Sequence, residues 1–270
     1  MPTDTLISLA PLLGAGLAAG LVAGLLGVGG GIVLVPILSL VLPAMGADET
    51  VSMHMAVASS LAVIVVTSLV SARAHAKRGG VDADTVRLWA LPIAAGALAG
   101  ALAARYLSGD ALRVLFGVLA AAVGTRFLLG RSAPEASLRW SRAARRTAAT
   151  GIGVLSAWLG IGGGTFAVPA LHGTGLPMHR AVGTAALLGF FVALPGAIGF
   201  AISGLDVEDR LANSVGYLHL PAVLALATGA VLLVPLGARL SHTLPQLKLR
   251  RVFGVFLLLS AARMMSKALA

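Results

Sequence analysis

The chain has 270 residues, of which 58% are hydrophobic and 11% charged, and a mean hydropathy of +0.95; a soluble fold of this size needs roughly a quarter of its residues charged to cover its surface. This is a multi-pass protein of the cell (inner) membrane, with length for about eight or nine spans of roughly 20 residues and no room for a soluble catalytic domain. The net charge of +10 fits basic cytoplasmic loops rather than nucleic-acid binding, and the absence of cysteine excludes disulfides, thiolate metal sites and a cysteine nucleophile.

Residues 1–5 carry Asp4 and no Lys or Arg, and the apolar stretch behind them runs on for some forty residues, which argues against a cleaved signal peptide. Apolar runs between charged or turn-rich breaks fall near 6–45, 51–72, 88–107, 111–129, 148–172, 179–203, 216–238 and 249–268. The first is too long for one span and contains Gly29-Gly30-Gly31; the fifth contains Gly162-Gly163-Gly164. Three successive glycines have low helix propensity, so each segment is expected to break there, with a second helical piece starting near Ile32 and near Thr165.

The two halves are duplicated. Leu26-Gly27-Val28-Gly29-Gly30-Gly31 with Val35-Pro36-Ile37-Leu38 matches Leu159-Gly160-Ile161-Gly162-Gly163-Gly164 with Val168-Pro169-Ala170-Leu171 at the same spacing. Met53-His54-Met55-Ala56-Val57-Ala58-Ser59 then matches Met178-His179-Arg180-Ala181-Val182-Gly183-Thr184, Leu91-Pro92 matches Leu220-Pro221, and Phe116-Gly117-Val118 matches Phe253-Gly254-Val255. Four ordered matches define a first transmembrane repeat, 1–130, a basic cytoplasmic linker, 131–147, and a second repeat, 148–270. If each Gly-rich segment is a re-entrant hairpin followed by three spans, each repeat crosses an odd number of times and the second is inverted. The basic loops around Arg73–Arg87, the linker, Arg180 and Arg239–Arg251 then all fall inside. Full spanning by both Gly-rich segments places fewer basic residues inside, so the hairpin arrangement is favoured. The expected fold is therefore all-α: two inverted repeats, each a Gly-broken helix, re-entrant or discontinuous, plus three spanning helices.

Irregular backbone at membrane depth is tolerated only where protein or a cavity surrounds it. The breaks at Gly29, Gly30, Gly31 and at Gly162, Gly163, Gly164 therefore mark the interior, and each exposes a helix N-terminus able to hold an anion. Thr165, and Ser59, Ser60 and Thr184 on the adjacent spans, can add hydroxyl donors, although such hydroxyls commonly bond back to their own helix. His54 and His179 begin repeat-related spans, where a solvated histidine is ordinary and a gating or proton role is the alternative. The spacings Gly16-Gly20-Gly24 and Gly96-Gly100 read as helix contacts. Arg105 and Arg239 lie at span ends and are expected to snorkel. No interior carboxylate, metal cluster, catalytic triad or nucleotide motif is legible, so neither a metal nor a cofactor nor an enzymatic activity is expected.

The duplicated Leu-Gly-[Val/Ile]-Gly-Gly-Gly with Val-Pro-x-Leu, the Ala-Val-[Ala/Gly]-[Ser/Thr] after each, and the paired Phe-Gly-Val resemble the sulfite exporter TauE/SafE family, also described as toluenesulfonate uptake permeases, over essentially the whole chain. The resemblance implies a bacterial, archaeal or plant-type transporter of seven to nine spans for a small organosulfur or related anion such as sulfite or a sulfonate, and here most simply an exporter working by alternating access. A gated anion channel of the same architecture is the alternative. Thr165 stands where the first repeat has Ile32, and Ala185 where it has Ser60, so the repeats need not contribute equally. Partners are the small anion and the bilayer; the sequence leaves the oligomeric state open.

Overall fold

The computed structural model describes residues 3–26, 30–129, 140–240 and 246–269; Gly29, the linker positions 131–139 and the side chain of Arg239 lie outside the description. The described helices are α1 (Thr3–Leu26), α2 (Gly31–Ala44), α3 (Glu49–Ala76), α4 (Ala83–Ala103), α5 (Gly109–Leu128), α6 (Arg142–Leu159), α7 (Gly164–Gly173), α8 (Met178–Ser203), α9 (Leu220–Leu240) and α10 (Gln246–Leu269). A short antiparallel hairpin, β1 (Ser214–Val215) and β2 (Leu218–His219), precedes α9. Among the described residues six helices, α3, α4, α5, α8, α9 and α10, contain stretches long and apolar enough to cross a membrane.

Helix starts follow local chemistry. Asp82 accepts the Thr85 N–H at 2.8 Å, Ser108 that of Ala111 at 3.1 Å and Ser141 that of Ala144 at 3.2 Å, each satisfying a donor that the first turn leaves free. Both Gly-rich segments break as expected, one residue earlier than read: the second pieces begin at Gly31 and Gly164. The described part of the first break and the second break differ at one corresponding glycine. The first repeat turns at Gly30, with φ +75°, whereas the second turns at Gly160, with φ +62°, and Gly163, the counterpart of Gly30, is helical at φ −54°. At Gly160 the Ile161 N–H returns to the Ser156 carbonyl at 3.1 Å, a left-handed helix termination that disfavours any Cβ. The pieces after the breaks are short: 14 and 10 residues rise about 21 and 15 Å against a hydrocarbon layer of about 30 Å.

The repeats exchange partners. α1 packs on α9 of the second repeat and α6 on α4 of the first, while the repeat-related pairs α3 with α8 and α5 with α10 pack on each other. Small residues set these contacts. Gly16 and Gly20 face the backbones of Leu226 and Ala230, Gly96 and Gly100 those of Thr150 and Val154, so helices approach to backbone contact. α3 and α8 run antiparallel: His54 near the start of α3 stacks on Tyr217, whose N–H reaches Phe200 near the end of α8, while Gly80 just beyond α3 touches Gly183 near the start of α8. α5 and α10 do the same, with Gly117 against Met265 and Gly124 against Gly254. Arg113 is buried where α5 meets α3 and α10. It pairs with Asp110 at 2.5 Å and Glu49 at 2.8 Å, and Glu49 also pairs with Lys267.

Candidate functional site

α3 and α8 are the most enclosed of the spanning helices, and both glycine breaks lie against them. Gly31 of the first break packs directly on Gly160 and Ile161 of the second, so closely that a Cβ on Gly31 would lie 2.8 Å from the Ile161 Cα and 2.7 Å from Ile64 Cδ1. Gly160 in turn sits on α3, where its own Cβ would be 2.9 Å from the Val57 Cα, and Ser60 Oγ donates to the Gly160 carbonyl at 2.7 Å. Ser60 is fully buried. One hydroxyl on a spanning helix therefore satisfies a carbonyl that the left-handed turn removes from helical bonding.

Beside this junction is a small cavity with room for about one water molecule. Gly162, Gly163 and Gly164 form one wall, Ser68 and Ser71 of α3 another, and Ala185 and Gly189 of α8 a third. No charged side chain lines it. Two further hydroxyls flank the second break without a hydrogen-bond partner: Ser156, fully buried in the last turn of α6, and Thr165 in the first turn of α7. A buried hydroxyl without a partner costs stability, and a site that must offer donors to a visiting ligand is one place where that cost is kept.

The structure places the other expected residues differently. Ser59 and Thr184, repeat mates, are both fully buried, and each accepts a backbone N–H from the residue just ahead of the next helix of a sheet-and-helix or loop-to-helix junction: Ser59 Oγ from His219 at 3.1 Å and Thr184 Oγ1 from Asp82 at 2.9 Å. Their oxygens hold the entries to α9 and α4. His54 is not a solvated interfacial residue: it is buried, its Nε2 lies 3.2 Å from the Ala104 carbonyl and 3.1 Å from that of Leu107, and its ring stacks on Tyr217 at 4.9 Å. His179, by contrast, is exposed. The two histidines therefore do not form an equivalent pair. Arg105 lies over the Tyr106 ring at 5.6 Å.

Sequence reading missed Ser68, Ser71, Ser156 and Gly189. Ser68 and Ser71 sit two and three turns beyond Ser60 on α3, and their only sequence signal is hydroxyls continuing along an otherwise apolar span. Ser156 lies four residues before the bend at Gly160, a position that gains meaning only once that bend, rather than the triplet, is known to be the turning point.

The comparisons with known proteins point to a membrane transporter. The model of the family described as "Sulfite exporter TauE/SafE" matches residues 12–264. A probable membrane transporter protein of Haemophilus influenzae is 33% identical over 97% of this chain and 99% of its own. One of Methanocaldococcus jannaschii is 26% identical over 95% of this chain and 97% of its own, and one of Bacillus subtilis 27% identical over 90% and 92%. No solved structure matches the chain significantly.

Proposed function

We propose that this chain, which belongs to the sulfite exporter TauE/SafE family and is a multi-pass membrane transporter, exports a small sulfur oxyanion or short sulfonate by alternating access about its two facing glycine breaks. The observation that carries the reading is the contact of Gly31 with Gly160 and Ile161, next to a cavity lined by backbone glycines and hydroxyls. Two short helices begin at this junction, α2 and α7, and the free N–H groups of a helix start favour an anion without a buried counter-ion. Gly162, Gly163, Gly164 and Thr165 are the proposed contacts, with Gly30 and Gly31 of the first break packed against the junction and Ser60 fixing the bend at Gly160. Ser59 and Thr184 keep only their hydroxyl hydrogens for a substrate, because their oxygens already serve as acceptors.

The antiparallel course of α3 against α8 and of α5 against α10 supports an inverted repeat, and the short α2 and α7 support pieces that return without crossing. A sulfite ion is larger than one water, so the cavity as it stands is a closed state, and closure on both sides suits a carrier that opens alternately rather than a standing pore. Thermal unfolding of the purified protein across sulfite, short sulfonates, acetate, monovalent cations and a neutral sugar tests the substrate class, since a ligand that binds the folded state raises its apparent stability. Stabilisation by the sulfur anions alone is the expected result; stabilisation by the cation or the sugar alone overturns it.

A further inference from the structure

Resting on the reading of a small-anion transporter, we propose that the two repeats are unequal and that the anion is held at the second break alone, with Ser68, Ser71 and Gly189 setting its fit while the first break serves as a packing mate. The repeat register makes the comparison direct. Ile64 and Leu61 on α3 correspond to Gly189 and Ala186 on α8, and Ser68 and Ser71 correspond to Ala193 and Gly196. At the first break the space is filled: Ile64 Cδ1 presses on Gly31, with the same side chain closing one edge of the cavity at the second break, while Leu61 packs on Gly196 of α8. Around the second break the small Gly189 and Ala185 leave the space that Ser68 and Ser71 line from the opposite side.

The polar groups follow the same asymmetry. Of the three buried hydroxyls without partners among the described residues, Ser156, Thr165 and Ser214, two flank the second break and the third lies in β1; the first repeat has Ala23 and Ile32 where the second has Ser156 and Thr165. Space, hydroxyl lining and unpartnered donors thus coincide on one side of a junction that the duplication by itself leaves symmetrical. The Ser68 hydroxyl donates to the Val65 carbonyl of its own helix at 3.1 Å, so a compact oxyanion that accepts from Ser71 and from the backbone N–H groups of the break, beside the apolar wall of Ile64, Ala185 and Ala186, is the ligand that this lining suits. A bulky aromatic sulfonate would have to displace α8.

The test compares wild type, Gly189→Ala, Ser71→Ala and Ile32→Val, reading the concentration of sulfite or methanesulfonate needed to raise the melting temperature of the purified protein. Gly189→Ala is tolerated structurally, because the added Cβ meets Ser68 Cβ at 3.5 Å and the Gly163 nitrogen at 3.7 Å, ordinary contact distances, yet it occupies cavity space. Ligand-free melting reports folding of each variant. Ser71→Ala is expected to weaken the anion about tenfold, the scale of one hydrogen bond to a charged group, Gly189→Ala to weaken it similarly by filling the cavity, and Ile32→Val, in the first turn after the first break, less than about twofold. An equal loss for Ile32→Val, or unchanged affinity for both second-break variants, overturns the one-sided site. If wild type itself responds to neither anion, the anion reading beneath this proposal fails instead.

Discussion

Gly31 and Gly160 touch backbone to backbone, joining the glycine break of one repeat to that of the other. A methyl on Gly31 would overlap the Gly160 carbonyl oxygen and crowd the Ile161 Cα, whereas a methyl on Gly163 meets nothing nearer than 3.6 Å. Gly31→Ala should therefore destabilise the protein by about 1–3 kcal/mol, the cost of overpacking, and Gly163→Ala should fold normally while slowing anion flux. Equal melting temperatures for Gly31→Ala and wild type would show that the junction is looser than described.

Gly96, read from its spacing as a helix contact, is not a mild position for Gly96→Ala. Its Cβ would overlap the Thr150 carbonyl oxygen and lie 2.9 Å from the carbonyl carbon, so this helix contact resists substitution as strongly as Gly31 does. Gly151→Ala is the benign control: nothing lies within 4 Å of its added Cβ. Replacing a mid-helix glycine there should leave stability unchanged or raise it by about 0.5–1 kcal/mol, with transport intact, as thermal unfolding and flux together would show.

Thr165 and Thr184 separate binding from folding. Thr165 Oγ1 has no partner, so Thr165→Val should keep or slightly raise stability while weakening anion binding by about 1 kcal/mol. Thr184 accepts the Asp82 N–H, and Thr184→Val leaves that donor unsatisfied, which should lower stability by about 1–3 kcal/mol. Matching melting temperatures and affinity changes for the two variants would contradict these assignments.

Asp82 supplies a pH dependence. The Thr85 backbone N–H holds its carboxyl below the ordinary value of 3.8, aided by the Thr85 hydroxyl and by Arg180, paired at 2.9 Å. A depressed folded value contributes stability that is fully present above 3.8 and disappears as pH falls through the folded value. Asp82→Ala should cost about 1 kcal/mol at neutral pH, most of it the lost helix cap, since the half-exposed Arg180 makes the ion pair weak. The difference in melting temperature from wild type should narrow in acid below 3.8.

The repeat, the breaks and the spanning helices were legible because glycine triplets and apolar runs are local features whose spacing survives duplication. The role of Ser59 and Thr184 was not: a hydroxyl on an apolar helix looks the same whether it meets a substrate or a backbone N–H more than a hundred residues away. His54 and His179 match in sequence, yet the Tyr217 turn before α9 buries only the first, because β1 and β2 replace in the second repeat the opening turns of α4 in the first. The bend at Gly160 was likewise hidden, since any glycine in the run can take a left-handed conformation, and its marks are tertiary: the close approach of Val35 and Val57 and the Ile161 N–H on the Ser156 carbonyl.

Topology can be read with single cysteines, because the chain has none of its own. Asp84 follows α3 and Asp206 follows α8, the repeat mate of α3. In intact cells an impermeant thiol reagent should label Asp206→Cys and spare Asp84→Cys. Labelling of both, or of neither until the cells are opened, would rule out inversion of the second repeat.

The most direct measurement is flux through the purified protein in proteoliposomes, with sulfite inside and out and a labelled sulfite added on one side. Saturable exchange that short sulfonates inhibit, that cations and neutral solutes do not, and that Gly163→Ala slows while Gly151→Ala does not is the predicted result. Uptake of a cation or a neutral solute that sulfite and sulfonates fail to inhibit would contradict the account and leave the two glycine breaks to serve another purpose.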